Sequence, residues 1–86
     1  MTKYEVVITK SVQKYLDKLS DALAEKLENA MMKLENDPRP VGCEKMSGRN
    51  AYKIRVGDYR IIYTIEDKIL LVTVIDAGHR REIYRK

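Results

Sequence analysis

An alternating segment in the second half of the chain constrains the fold more than any other feature. Residues 52–56 read YKIRV and residues 59–65 read YRIIYTI, so apolar side chains take every second position along most of both stretches. A period of two is typical of strands that bury one face. The Gly57-Asp58 pair between them suits a two-residue turn, because glycine readily adopts positive φ at the first central position. The segment predicts a β-hairpin, preceded by a loop through Gly42 and Gly48.

This hairpin would bring three cations onto one face of a sheet. With a two-residue turn at Gly57-Asp58, Arg55 lies opposite Arg60, and Lys53 points to the same side. Like charges directly opposed destabilise a sheet, whereas the fork of an arginine side chain suits phosphate. The pattern favours a bound anion. The alternatives are nearby carboxylates, or a solvated face on which the charges splay apart.

The rest of the chain supplies two helices and two further strands. Residues 4–8 are short and β-branched, as in a strand, and residues 69–75 are nearly all apolar, as in an interior strand covered on both faces. Apolar residues at helical spacing mark one helix across 12–19 and a second across 23–34, which ends before Pro38. The order strand, helix, helix and three-stranded meander predicts an α+β fold, with both helices on one face of a twisted, mostly antiparallel sheet.

Length and composition exclude several classes of protein. The 86 residues suit a single domain spanning 1–86. No apolar run approaches the ~20 residues of a membrane span, and the first residues do not lead into an apolar export segment. One cysteine, Cys43, and one histidine, His79, predict no internal disulfide and no metal site. We therefore expect a cytoplasmic protein with no cofactor and no membrane partner.

Positive charge is concentrated in the second half of the chain. Residues 1–44 hold seven Lys and Arg against eight Asp and Glu, whereas residues 45–86 hold ten against five, and the net charge is +4. Solubilising charge alone would account for so small an excess. Its localisation instead suggests a polyanionic partner, most often a nucleic acid.

Two stretches resemble the RelE/ParE toxin superfamily, and its RelE branch in particular. They are MSGRNAYKIRVGDYRIIY at 46–63 and GHRREIYR at 78–85, and the similarity spans essentially the whole chain. The resemblance implies the RelE-like fold and the toxin of a type II toxin–antitoxin pair. RelE-like toxins are mRNA endonucleases that act in the ribosomal A site without a metal. The ribose 2′-OH attacks the adjacent phosphate, and translation is inhibited.

The resemblance also implies roles for individual residues. Lys53 and Arg55 occupy the positions of the family's paired lysines, and Arg60 that of its phosphate-binding arginine. Arg80 matches the C-terminal arginine, and Tyr84 matches the terminal tyrosine that stacks on a base. These five residues are the catalytic positions that the resemblance implies.

Arg55 stands where a well-known RelE has a lysine that is a proposed base. Arginine is effectively never deprotonated, so the general base is left open among Lys53, His79 and Tyr84. Additional RNA-binding positions are expected at Lys45, Arg49 and Arg81.

The partners implied by the resemblance are a RelB-like cognate antitoxin, the ribosome and its mRNA. Operator DNA is expected to be bound only through the antitoxin complex. Two alternatives stay open. One is a ParE-like toxin that inhibits DNA gyrase by binding. The other, motivated by Arg55, is a catalytically weak toxin domain that binds RNA or the ribosome.

Overall fold

Both predicted helices are present in the computed structural model, which describes residues 3–79 of the chain. Helix α1 spans Lys10–Asp17 and helix α2 spans Asp21–Met32, which continues into a 3₁₀ turn at Lys33–Glu35. The Ser20 hydroxyl caps α2 by accepting a hydrogen bond from a backbone N–H of the first turn at 3.3 Å. The spacing of apolar residues therefore locates both helices correctly.

The described strands form one mixed sheet. Their bounds are β1 Glu5–Ile8, β2 Glu44–Lys45, β3 Tyr52–Val56, β4 Tyr59–Glu66 and β5 Leu71–His79. The strand order is β1-β5-β4-β3-β2, in which β1 runs parallel to β5 and the other neighbours are antiparallel. Two helices on one face of a mostly antiparallel sheet confirm the predicted α+β fold.

The main core lies between the helices and one face of the sheet. The fully buried side chains of this core come from both layers, and the largest are Leu16, Leu27, Met31, Leu34, Ile61, Tyr63, Val72 and Val74. A smaller apolar cluster of Ala51 and Ile62, with Met46 and Ile75 packed against it, lies apart from this core. Ile62 follows Ile61 directly along β4, so the two clusters occupy opposite faces of the sheet.

Four details of the strand prediction were wrong. The segment between Gly42 and Gly48 is not entirely loop, because β2 pairs there with the start of β3. Strand β5 begins at Leu71, because the chain first makes a 3₁₀ turn and Leu70 takes a left-handed conformation with φ 53°. It also extends to His79, and several of its residues on the face away from the main core are only half-buried, unlike those of a strand covered on both faces.

Polar contacts fasten the loop that follows α2 to the sheet. The Tyr63 hydroxyl donates a buried hydrogen bond of 2.7 Å to the Pro38 carbonyl oxygen, and burial raises the pKa of this phenol. The Arg39 guanidinium donates two hydrogen bonds to the Asp67 carboxylate, at 3.2 and 2.9 Å, and the Tyr4 hydroxyl donates a third at 2.7 Å. The loop is therefore held at both Pro38 and Arg39.

Asp67→Asn is expected to lower the Tm modestly near neutral pH and progressively less in acid. Hydrogen bonds from Arg39, and then from Tyr4, hold the pKa of the Asp67 carboxyl below its ordinary value of 3.8. A carboxyl whose pKa is depressed by folding stabilises the protein above that ordinary value, and the stabilisation is lost as the pH falls through the folded-state pKa. Thermal melts from about pH 7 to about pH 2 check this. The exposed Glu25→Gln is the control, and a Tm difference independent of pH would contradict the expectation.

Candidate nucleic-acid interface

The β3–β4 hairpin has the predicted register. Gly57 occupies the first central position of the turn with φ +60°, a conformation that suits glycine. Val56 pairs with Tyr59, and Arg55 pairs with Arg60. The two arginines are therefore directly opposite each other, as the sequence predicts.

The hairpin separates its apolar and cationic residues onto two faces. Ile54 and Ile61 belong to the main core beneath the helices. Lys53, Arg55 and Arg60 alternate with them and so lie on the opposite face, which we call the cationic face. The structure thus brings these three predicted residues together on the side of the sheet that the helices leave uncovered.

Arg60 is the most enclosed of the three cations. It is 6% exposed, whereas Arg55 is exposed and the Lys53 side chain is 22% exposed. Gly78 lies directly across from Arg60 in β5 and brings no side chain, which leaves room for the guanidinium. Within residues 3–79, every buried side-chain nitrogen and oxygen has a hydrogen-bond partner. Arg60 is therefore the cation whose position the fold fixes most firmly.

Two carboxylates accompany the cations. Glu44 pairs with Lys53 across β2 and β3, and its Oε1 lies 3.7 Å from the Lys53 Nζ. Asp76 lies opposite Ile62 and thus diagonal to Arg60, and its Oδ1 accepts a hydrogen bond of 2.9 Å from the Ala77 N–H. The structure therefore supports one alternative to a bound anion, because nearby carboxylates offset part of the opposed positive charge.

A groove of about 810 Å³ runs along the outer edge of β3. Strand β2 pairs only with Tyr52 and Lys53, so the groove borders the rest of the strand. Its wall is the fastened loop after α2, and its lining includes Lys33, Arg55 and Arg60. An extended polyanion could reach the cations along this groove.

The other predicted site residues lie elsewhere. Pairing places His79 opposite Tyr59 on the face of the main core, with the two rings edge to face at 5.5 Å. Lys45 pairs with Tyr52, also on that face, and Arg49 is exposed in the β2–β3 loop. The structure does not bring these three onto the cationic face. Arg80, Arg81 and Tyr84 lie outside the described residues.

Three groups at the site do not follow from the sequence pattern. Glu44 could not be predicted as a site residue, because a strand of two residues is too short to show an alternating pattern in the sequence. Asp76 lies beyond a strand predicted to end at Ile75, and Lys33 lies within the second predicted helix, away from the predicted site. The only available signal for Glu44 is its position just before a basic, β-branched hairpin.

Residues 3–79 contain neither a metal site nor a membrane-spanning helix. Within this range, no three His, Cys, Asp or Glu side chains group closely enough to hold a metal ion. No helix there is long and apolar enough to cross a membrane.

Comparison with known proteins extends the likeness over nearly the whole chain. Residues 6–84 match the model of the ParE toxin of the type II toxin–antitoxin system parDE. The toxin RelG of Mycobacterium tuberculosis is 32% identical over 87 residues, covering 96% of this chain and 98% of RelG.

Solved structures of RelE proteins share the fold. RelE in the archaeal RelE–RelB complex from Pyrococcus horikoshii is 31% identical, with a TM-score of 0.80, and the match covers 93% of this chain and 97% of that one. A double arginine-to-alanine variant of E. coli RelE in the free state is 26% identical, with a TM-score of 0.75 and coverage of 99% and 93%. Both the family model and these relatives agree with the resemblance carried by residues 46–63 and 78–85. The chain belongs to the RelE/ParE family of toxins from type II toxin–antitoxin systems.

Proposed function

We propose that this toxin is a ribosome-dependent endonuclease that cuts mRNA in the A site and so inhibits translation. The observation that supports it best is the enclosed Arg60, which shares the cationic face with Arg55 and Lys53. A buried guanidinium beside two further cations suits one phosphate group held in a defined place. A diffuse surface charge that only attracts nucleic acid would not need an enclosed arginine.

The proposed reaction is a transesterification that uses no metal. The ribose 2′-oxygen attacks the adjacent phosphorus, the bond to the 5′-oxygen breaks, and the products carry a 2′,3′-cyclic phosphate and a 5′-OH. Negative charge grows on the phosphate oxygens in the transition state, where fixed cations stabilise it most. Arg60 is assigned to those oxygens, with Arg55 and Lys53 beside it. Arg80 remains a proposed catalytic residue, and Tyr84 is proposed to stack on a nucleobase of the mRNA.

A RelB-like antitoxin is the proposed partner of the toxin, with the ribosome and mRNA as its targets in the cytoplasm. The P. horikoshii relative was solved in a complex with RelB, and E. coli RelE has also been solved in the RelBE toxin–antitoxin complex. An antitoxin that covers the cationic face would neutralise Lys53, Arg55 and Arg60. Operator DNA would then be bound only by the toxin–antitoxin complex.

Primer extension on an mRNA in a cell-free translation reaction tests the proposal. We expect new 5′ ends at codon-phased positions when purified toxin is added, and none when ribosomes are left out. Equal cutting of free RNA would contradict ribosome dependence. Addition of the cognate antitoxin should suppress the new ends.

A ParE-like gyrase inhibitor is the second candidate, because the matching family model is that of ParE. It predicts an intact message together with inhibited supercoiling by purified DNA gyrase. An intact message with tight ribosome binding would instead indicate the catalytically weak domain. If primer extension shows an intact message, the gyrase and ribosome-binding assays therefore distinguish a gyrase inhibitor from a catalytically weak toxin domain.

A further inference from the structure

We propose that Glu44 is the general base that takes the proton from the attacking 2′-OH. The inference rests on the proposed endonuclease function and identifies the group that the family resemblance left open. It follows from the place of Glu44 in the sheet and from its contact with Lys53.

Glu44 stands at the rim of the cationic face. Its register opposite Lys53 puts both side chains on the same side of the sheet. The Glu44 Oε1 lies 3.7 Å from the Lys53 Nζ, yet the Glu44 side chain is 67% exposed. Both Glu44 and Lys53 line the groove along β3. The carboxylate is thus near the cations and still open to a substrate in the groove.

The chemistry needs a base in this position. The 2′-oxygen and the phosphate it attacks belong to the same nucleotide, so the base must stand near the cations that surround the phosphate. Glu44 contacts one of these cations, Lys53, and lines the same groove as Arg60. Glu44 accepts the 2′-proton as the oxygen–phosphorus bond forms, and the departing 5′-oxygen takes a proton from water or another acid. Glu44 then returns its proton to solvent, so the step is balanced.

The neighbouring groups are less suited to this role. Arg55 has no lone pair to accept a proton. An Asp76 oxygen is already engaged by the Ala77 N–H. His79 lies against Tyr59 on the other face of the sheet. Glu44 is an exposed carboxylate that contacts Lys53 and lines the groove beside the cations.

Single-turnover cleavage on mRNA-programmed ribosomes tests the assignment. Glu44→Gln keeps the shape of the side chain but removes the base, so we expect cleavage at saturating toxin to slow by about 10²–10⁴-fold. The toxin concentration for half-maximal cleavage should stay the same or fall, because a negative charge has been removed from an RNA site. Glu44→Asp should retain part of the rate. Glu66→Gln, an exposed carboxylate at the far end of β4, is the matched control and should cut normally.

A second substrate distinguishes a base from an acid. If sulfur replaces the bridging 5′-oxygen, the leaving group departs without protonation. Glu44→Gln should stay slow on this substrate. Restoration to the wild-type rate would overturn the assignment, because it would show that Glu44 acts as the acid.

A third comparison tests whether Glu44 acts only by positioning Lys53. Glu44→Gln should slow cleavage further in a Lys53→Met background. If it has no effect there, Glu44 merely positions Lys53 and the proposal is wrong. Glu44→Gln cleavage within about threefold of wild type would also overturn it. Wild-type toxin that cuts no message would overturn the endonuclease function, and this inference with it.

Discussion

Arg60→Lys is expected to slow mRNA cleavage by about 10²–10³-fold, the usual loss when one fixed donor to a transition-state oxyanion is removed. Lysine keeps the positive charge but loses the planar fork that can hold two phosphate oxygens at once. Arg60 is also the most enclosed cation of the site, so a shorter head group cannot swing into its place without rearrangement.

The measurement is single-turnover cleavage on programmed ribosomes, accompanied by controls for folding. Circular dichroism and the Tm of Arg60→Lys show whether the variant is folded, and antitoxin binding shows whether the cationic face is intact. Lys18→Ala, an exposed lysine after α1, should cut at the wild-type rate. A folded Arg60→Lys variant that cuts within about threefold of wild type would contradict the role assigned to Arg60.

Leu27→Ala is expected to lower the free energy of unfolding by about 2–5 kcal/mol. Leu27 lies in the middle of α2, is fully buried, and packs in the core between the helices and the sheet. The truncation removes buried methyl groups and leaves a cavity. The loss is large beside the ~5–15 kcal/mol that hold a domain of ordinary stability together.

Urea unfolding followed by circular dichroism measures this loss. Val41→Ala is the matched control, because Val41 is fully exposed and its truncation should change the free energy of unfolding by less than about 0.5 kcal/mol. If Leu27→Ala and Val41→Ala lower the free energy of unfolding by the same amount, α2 does not cover the sheet as described.

The hairpin can be predicted because the residues that determine it are close together in the sequence. The two-residue turn at Gly57-Asp58 fixes the register, and a period of two assigns each side chain to a face. These two features of the sequence are enough to group Lys53, Arg55 and Arg60 correctly. The apolar faces of α1 and α2 can be predicted for the same reason, because the spacing of nearby apolar residues indicates them.

The position of His79 could not be predicted, because a β-bulge changes the phase of β5. The pairing of β5 with β4 shifts between Ile62 and Tyr63, so Val74 and Ala77 both face the main core. Strict alternation from Val74 would have put His79 on the cationic face. The bulge instead places it beside Tyr59.

Glu44 and the start of β5 escape prediction for other physical reasons. The two-residue strand β2 forms because it pairs with β3, and no local sequence pattern indicates this pairing. Ile69 and Leu70 are apolar and favour a strand, but the chain must turn there before it can run back beside β4. Tertiary pairing, and not local preference, decides both segments.

The most direct test of the endonuclease function uses programmed ribosomes and two mRNAs that differ in one atom. One carries an ordinary ribose at the cleaved nucleotide, and the other a 2′-deoxyribose there. The endonuclease function predicts that the toxin cuts the first in the A site to give a 2′,3′-cyclic phosphate and a 5′-OH, and leaves the second intact. Cleavage of the deoxy-substituted message at the same position, or of the ordinary message without ribosomes, would contradict it.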